Sequence, residues 1–195
     1  IDATTAENYT TITVIAPSEL QEGLLWVGTD DGRVHLTRDG GKSWSDLSAD
    51  LPAPAQQGWI KQILPSAYDP GEAFMVVDKH LQGDRTPYLL HTRDFGRHWR
   101  NLLAGQDIPA YALSFVQDPE EPRLMFLGTE FGLYYSLDGG RSWAQWTEGY
   151  PAVSTMDMKL QAREKDLVLG SFGRSIWILD DLQPWRDLAR TPSIL

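Results

Sequence analysis

Four carboxylates recur at one kind of place in this sequence, and converging carboxylates are the usual tools for acid–base work on a glycosidic bond. Asp30 and Asp31 in TDDG, Asp78 in VDKH and Glu130 in TEFG each follow a short run of apolar and β-branched residues. Two such groups about 5–10 Å apart in an open cleft would suit hydrolysis of a sugar linkage. His80, Asp84 and Arg85 lie in the insertion KHLQGDRTP, the longest of the chain and so the natural specificity element. A histidine there can move a proton or hold a ligand, and Arg174, in SFGR, can fork onto a carboxylate of a ligand or of a neighbouring loop. Phe131 and Phe172 belong to the same loops. The plainer reading of all these residues is a set of solvated turns.

A second set of aspartates is periodic. TRDGGKSW (Thr37 to Trp44), TRDFGRHW (Thr92 to Trp99) and SLDGGRSW (Ser136 to Trp143) all fit S/T-x-D-x-G-x-x-W. Asp39, Asp94 and Asp138 could serve a metal or a reaction, but the same residue in every repeat suits a local folding device better than a single active site. The carboxylate can accept backbone N–H bonds across a sharp reversal, and Gly41, Gly96 and Gly140 can take the positive φ that it requires. Trp44, Trp99 and Trp143 then begin an outer strand, each ring buried against a neighbouring turn.

These turns sit in repeating units about 45–55 residues long, the size of a propeller blade. Each unit holds short β-branched and aromatic runs broken by Gly, Pro and Asp, with no helical stripe of three turns, so the fold class is all-β. The runs predict strands at 10–16, 24–29, 33–38 and 43–48, then at 59–64, 73–78, 87–92 and 98–103. A third group falls at 110–116, 123–129, 132–137 and 142–147, and a last at 154–160, 166–171 and 174–179, without a convincing fourth strand. The blades span about 9–50, 58–104, 108–148 and 152–182, and 183–195 is a tail. In up-and-down four-stranded blades the second-to-third turns and the connectors share one face. The carboxylates of the opening paragraph lie on that face, opposite the periodic aspartates.

Composition limits the partners. The 195 residues are 42% hydrophobic with 8 tryptophans, enough for a substantial core. Seventeen Lys and Arg against 27 Asp and Glu give a net charge of −10, which disfavours nucleic acid. No apolar run approaches the ~18 residues of a membrane span. The absence of cysteine excludes disulfides, thiolate metal sites and a Cys nucleophile. No metal or cofactor is expected. The chain begins at Ile1 without an initiator Met or a signal peptide, which predicts a processed chain or a piece of a longer one.

GTDDGRVHLTRDGGKSW, PYLLHTRDFGRHW, GTEFGLYYSLDGGRSW and DLVLGSFGRSIWILDDLQPWRDL resemble, in that order, successive blades of bacterial sortilin-like proteins with Asp-box (BNR) repeats. The resemblance covers nearly the whole chain and implies the carboxyl-terminal blades of a larger β-propeller in an exported protein, periplasmic or secreted. It implies recognition of protein, peptide or glycan, or scaffolding, rather than catalysis. A lone box is shared with sialidases, xyloglucanases and photosystem assembly factors. The arginine triad of sialidases has no counterpart, since only Arg85 and Arg174 lie on the right face. A xyloglucanase pair would face across a cleft between two propellers. The rival reading is therefore a glycoside hydrolase using Asp30, Asp31, Asp78 or Glu130, and a third is an assembly factor acting through a charged face. Open blade edges could pair with remaining blades or another copy of the chain, or residues near Tyr9 could complete the last blade.

Overall fold

A computed structural model describes residues 10–191; Tyr9, the residue suggested to complete the last blade, lies outside them. The first sheet is β1 (Ile12–Pro17), β2 (Leu25–Thr29), β3 (Val34–Thr37) and β4 (Ser45–Asp46), and the second is β5 (Trp59–Pro65), β6 (Ala73–Asp78), β7 (Tyr88–Thr92) and β8 (Arg100–Asn101). The third is β9 (Ala112–Gln117), β10 (Met125–Thr129), β11 (Gly132–Ser136) and β12 (Ala144–Trp146). Among the described residues the last has three strands, β13 (Thr155–Gln161), β14 (Asp166–Ser171) and β15 (Ile176–Leu179). All strands pair antiparallel with their sequence neighbours, so each sheet is an up-and-down propeller blade.

Two departures from the expected elements have local causes. The fourth strands are two or three residues long rather than six, because the aspartate turns hold the chain until after the tryptophan; Trp44, Trp99 and Trp143 end the turn instead of opening the strand. The expected tail contains a helix: α1 (Gln183–Arg190) makes two turns with Pro184 near its start, where a missing N–H costs nothing. Asp181 Oδ1 accepts from the Gln183 N–H at 3.0 Å as the chain enters it. Leu182, Trp185, Arg186 and Ala189 form its inward stripe, a helical pattern too short to register as a three-turn element.

The chain divides into two compact units, Ile1–Ala104 and Gly105–Leu195, each holding two blades. In the first, Trp26, Leu36 and Leu47 pack on Ile60, Ile63, Met75 and Leu90, side chains whose burial is worth about 1.5–3 kcal/mol each. β1 and β2 lie so close to β5 that a Cβ on Gly28 would stand 2.5 Å from Ile60 Cγ2. Thr13 Oγ1 donates across this gap to the Ile60 carbonyl at 2.9 Å. The second unit repeats the device: Ser114 Oγ donates to the Thr155 carbonyl at 2.9 Å, and a Cβ on Gly128 would stand 2.6 Å from that same oxygen. Its core joins Phe126 and Leu133 to Met158, Leu167 and Leu169, with Ala189 supplied by α1 and Leu182 by the residue that leads into it.

Candidate functional site: the loop rim and the aspartate turns

The second-to-third strand loops start at equivalent register positions, because Asp30 N–H donates to the Thr11 carbonyl, Glu130 N–H to the Tyr111 carbonyl and Phe172 N–H to the Ser154 carbonyl. Asp30 Oδ1 accepts from the Thr11 N–H at 2.8 Å. Asp31 accepts from Thr29 Oγ1 and from Thr10 Oγ1 and faces Arg33 at 3.5 Å. Burial works against its charge, but the Thr29 and Thr10 hydroxyls and Arg33 outweigh it and hold the carboxyl below its ordinary value. Asp78 is buried, gripped by the His80 N–H at 2.9 Å and by His80 Nδ1 at 2.7 Å, with Lys61 Nζ at 4.0 Å. Lys61 lies over the Trp59 ring at 3.6 Å, and burial lowers its pKa despite Asp78. Asp30, Asp31 and Asp78 are thus each fastened by their own loop or first strand.

In the insertion, Asp84 accepts from the Thr86 N–H at 2.9 Å and the Tyr88 hydroxyl at 2.7 Å, which keep its pKa low against the effect of burial. Arg85 is exposed. Arg174 is exposed too and makes no ion pair among the described residues, contrary to the pairing expected for it; its carbonyl instead accepts from Trp177 Nε1 at 2.8 Å. Phe131 and Phe172 are 44% and 76% exposed. Their loops are joined through Ser154, whose Oγ donates to the Glu130 carbonyl at 3.1 Å while its own carbonyl holds the Phe172 N–H.

The periodic aspartates are consumed inside their turns. Asp39 Oδ1 accepts from Thr37 Oγ1 at 2.8 Å and the Ser43 N–H at 2.9 Å, and Oδ2 from Ser43 Oγ at 2.6 Å. Asp94 takes Thr92 Oγ1 at 3.0 Å, the His98 N–H at 3.0 Å and His98 Nδ1 at 2.5 Å; Asp138 takes Ser136 Oγ at 2.9 Å, the Ser142 N–H at 3.0 Å and Ser142 Oγ at 2.6 Å. In each turn the first hydroxyl also accepts from the glycine N–H, of Gly41, Gly96 and Gly140. The tryptophans differ. Trp99 meets Trp26 edge-on at 5.9 Å and Trp143 is half-buried, whereas Trp44 is 46% exposed, over its own Gly41. Burial of all three rings is therefore corrected for Trp44: the ring that receives Trp99 belongs to the preceding blade, and no blade precedes the first among the described residues.

Hydrogen bonds from Ser43 and from His98 depress the Asp39 and Asp94 carboxyls from 3.8 to about 2. A depressed carboxyl stabilises the fold at pH values above its unfolded pKa and loses that contribution as pH falls toward its folded pKa. Urea midpoints should therefore drop between about pH 4 and pH 2. The drop should be smaller in the double variant Asp39→Asn/Asp94→Asn, whose midpoint at neutral pH is already lowered; an unchanged acid slope would contradict the assignment.

Two charged clusters had no signal in the sequence. Glu72, buried at the turn between β5 and β6, is held by Ser66 Oγ at 2.7 Å, His91 Nε2 at 2.8 Å and Arg93 Nε at 3.1 Å; burial opposes its charge, but these donors bring its pKa to about 2. His91 stacks on Phe74 and accepts from Arg100 Nε at 3.3 Å. In the second unit Arg186 forks onto Asp118 at 2.9–3.0 Å, and its other arm reaches Glu120 at 2.9 Å. Among the described residues no group of three or more His, Asp or Glu could hold a metal ion, and no helix is long and apolar enough to cross a membrane.

No family model matches the chain. It is 26% identical over 167 residues to the oligoxyloglucan reducing end-specific xyloglucanase of Emericella nidulans, an alignment covering 77% of this chain and 19% of that protein. Among solved structures, a GH74 enzyme of Niastella koreensis superposes with a TM-score of 0.69 at 17% identity, over 89% of this chain and 28% of that one. YCF48 bound to a D1 peptide gives 0.58 at 15% identity, over 90% and 56%. The chain thus spans about a fifth of the curated relative and under a third of the GH74 structure, and what these likenesses establish is the β-propeller blade fold as part of a larger propeller.

Proposed function

We propose that this chain is a recognition segment of a larger β-propeller, of the sortilin-like Asp-box kind that its repeats resemble, in an exported protein, and that the loops of its second unit bind glycan without cleaving it. One observation carries the reading: in the second unit Phe131 and Phe172 are 44% and 76% exposed on loops that Ser154 links, while in the first unit Asp31 and Asp78 are tied down, with side-chain exposures of 8% and 1%. A sugar ring presents an apolar face that packs on an aromatic one, and the exposed Arg174 beside Phe172 offers donors to hydroxyls. The xyloglucanase named above supports a β-glucan as the first ligand to try.

Titration calorimetry with xyloglucan oligosaccharides should detect binding that Phe172→Ala weakens about tenfold, or about 1.4 kcal/mol. Absence of binding, or equal affinity in the variant, would end this reading. The similarity to a xyloglucanase favours a hydrolase as the second reading. It predicts release of reducing ends from xyloglucan that Asp30→Asn or Glu130→Gln abolishes, where the recognition reading predicts none.

A further inference from the structure

The connector between the third and fourth sheets does more than join them. Ser154, its last residue before β13, holds one loop with its side chain and another with its backbone: Oγ donates to the Glu130 carbonyl at 3.1 Å, and the serine carbonyl accepts from the Phe172 N–H at 2.9 Å. The loops that carry Phe131 and Phe172 therefore hang on a single residue. That residue is fixed in turn, because its neighbour Thr155 has no solvent exposure, accepts from Ser114 Oγ through its carbonyl, and shares a hydrogen bond of 2.9 Å with the Tyr150 hydroxyl.

Tyr150 meets Trp177 edge-on at 5.6 Å, and Trp177 Nε1 donates to the Arg174 carbonyl at the other end of the Phe172 loop, so the contacts close into a circuit that returns to the serine. The Phe131 loop has its own brace, since Gln145 Nε2 donates to the Phe131 carbonyl at 2.8 Å. The first unit uses its connector in the same manner: the Gln57 carbonyl accepts from Gln82 Nε2 of the insertion at 2.6 Å, and a Cβ on Gly32 would stand 2.7 Å from Gln57 Cα. There the joined loops carry fastened carboxylates; in the second unit they carry open aromatic rings.

Resting on the glycan reading of these loops, we infer that Ser154 is a positioning residue: it locks the two aromatic loops into one surface before any ligand arrives, and so favours a linear oligosaccharide lying across both over a sugar that meets one. Loops already ordered lose little freedom on binding, and that saving is the source of a prepared surface's affinity. Once a linear ligand has stacked on one ring, its contact with the second is intramolecular, and the tie keeps that second ring in place. A single sugar gains nothing from the tie.

Amide hydrogen exchange of the full chain, followed by NMR without ligand, tests the tie directly. In Ser154→Ala the Glu130 and Phe172 amides should exchange together, about fivefold faster than in the parent, as expected when one hydrogen bond is lost from a local opening. The amides of β10 and the melting temperature should stay as they were. Ser154→Thr keeps the donor and should behave as the parent. Affinity for xyloglucan oligosaccharides should fall about fivefold in Ser154→Ala, while that for glucose, read by NMR titration, does not change. Exchange in Ser154→Ala equal to the parent's overturns the inference, as does faster exchange in one loop alone or a rise spread over the whole unit. So does a Ser154→Thr variant as loose as Ser154→Ala, or a loss of affinity equal for both sugars. A parent that binds neither sugar ends the glycan reading and with it the selection, while the exchange still decides the tie.

Discussion

Replacing Arg186 with alanine is expected to cost the second unit about 3–5 kcal/mol, because it removes the cation that neutralises a fully buried carboxylate. Asp118 has no solvent exposure and Arg186 only 2%, and three hydrogen bonds of 2.9–3.0 Å join them. Asp118 Oδ1 also accepts the N–H groups of Glu120 and Glu121, so its charge fixes the turn between β9 and β10 as well as the helix. Urea unfolding followed by tryptophan fluorescence measures the loss. The double variant Asp118→Leu/Arg186→Met should recover much of it, since an apolar pair of similar bulk avoids the desolvation of two ions. A single-variant loss under about 1 kcal/mol would show that the pair does not anchor α1.

Gly128→Ala is expected to be among the most damaging single-methyl additions. The new Cβ would stand 2.2 Å from Ser114 Oγ and 2.6 Å from the Thr155 carbonyl, and the second of these is backbone that cannot rotate away. Overpacking of this kind costs about 1–3 kcal/mol and more where backbone must shift. Gly28→Ala should be milder, since its nearest obstacle is the Ile60 side chain, and Gly170→Ala should stay within about 0.5 kcal/mol, since its Cβ would meet nothing closer than 3.6 Å. Thermal melts of the three variants give the ranking directly; equal effects at positions 128 and 170 would refute the claim that these glycines are gaps for a neighbouring blade.

What could be read from the residues was what local chemistry determines. The runs around Leu25–Thr29, Ala73–Asp78 and Asp166–Ser171 mark strands because β-branched and apolar residues stop at a glycine or carboxylate turn, and the aspartate turns close through partners four residues away or fewer. The loop residues could be assigned to the second-to-third turn of each blade, since strand order follows from the up-and-down pattern. Their use could not be: Asp78 looks like an available acid until His80 and Lys61 are seen around it. The partner of Asp118 was hidden for the same reason, as Arg186 lies far along the chain in what reads as a polar tail. Trp44, Trp99 and Trp143 are equivalent in sequence and differ only in what stands next to them.

Trp185 meets Phe126 edge-on at 5.7 Å, as Trp99 meets Trp26 in the first unit, and both receiving rings stand two residues before a glycine. The last blade, whose own turn has lost its tryptophan, thus borrows one from α1. During synthesis this ring leaves the ribosome after all four sheets, so the third blade's aromatic cluster waits for α1, while the first unit can close well before. A nascent chain halted before α1 emerges would present Phe126 and Tyr135 uncovered, a natural handle for a chaperone.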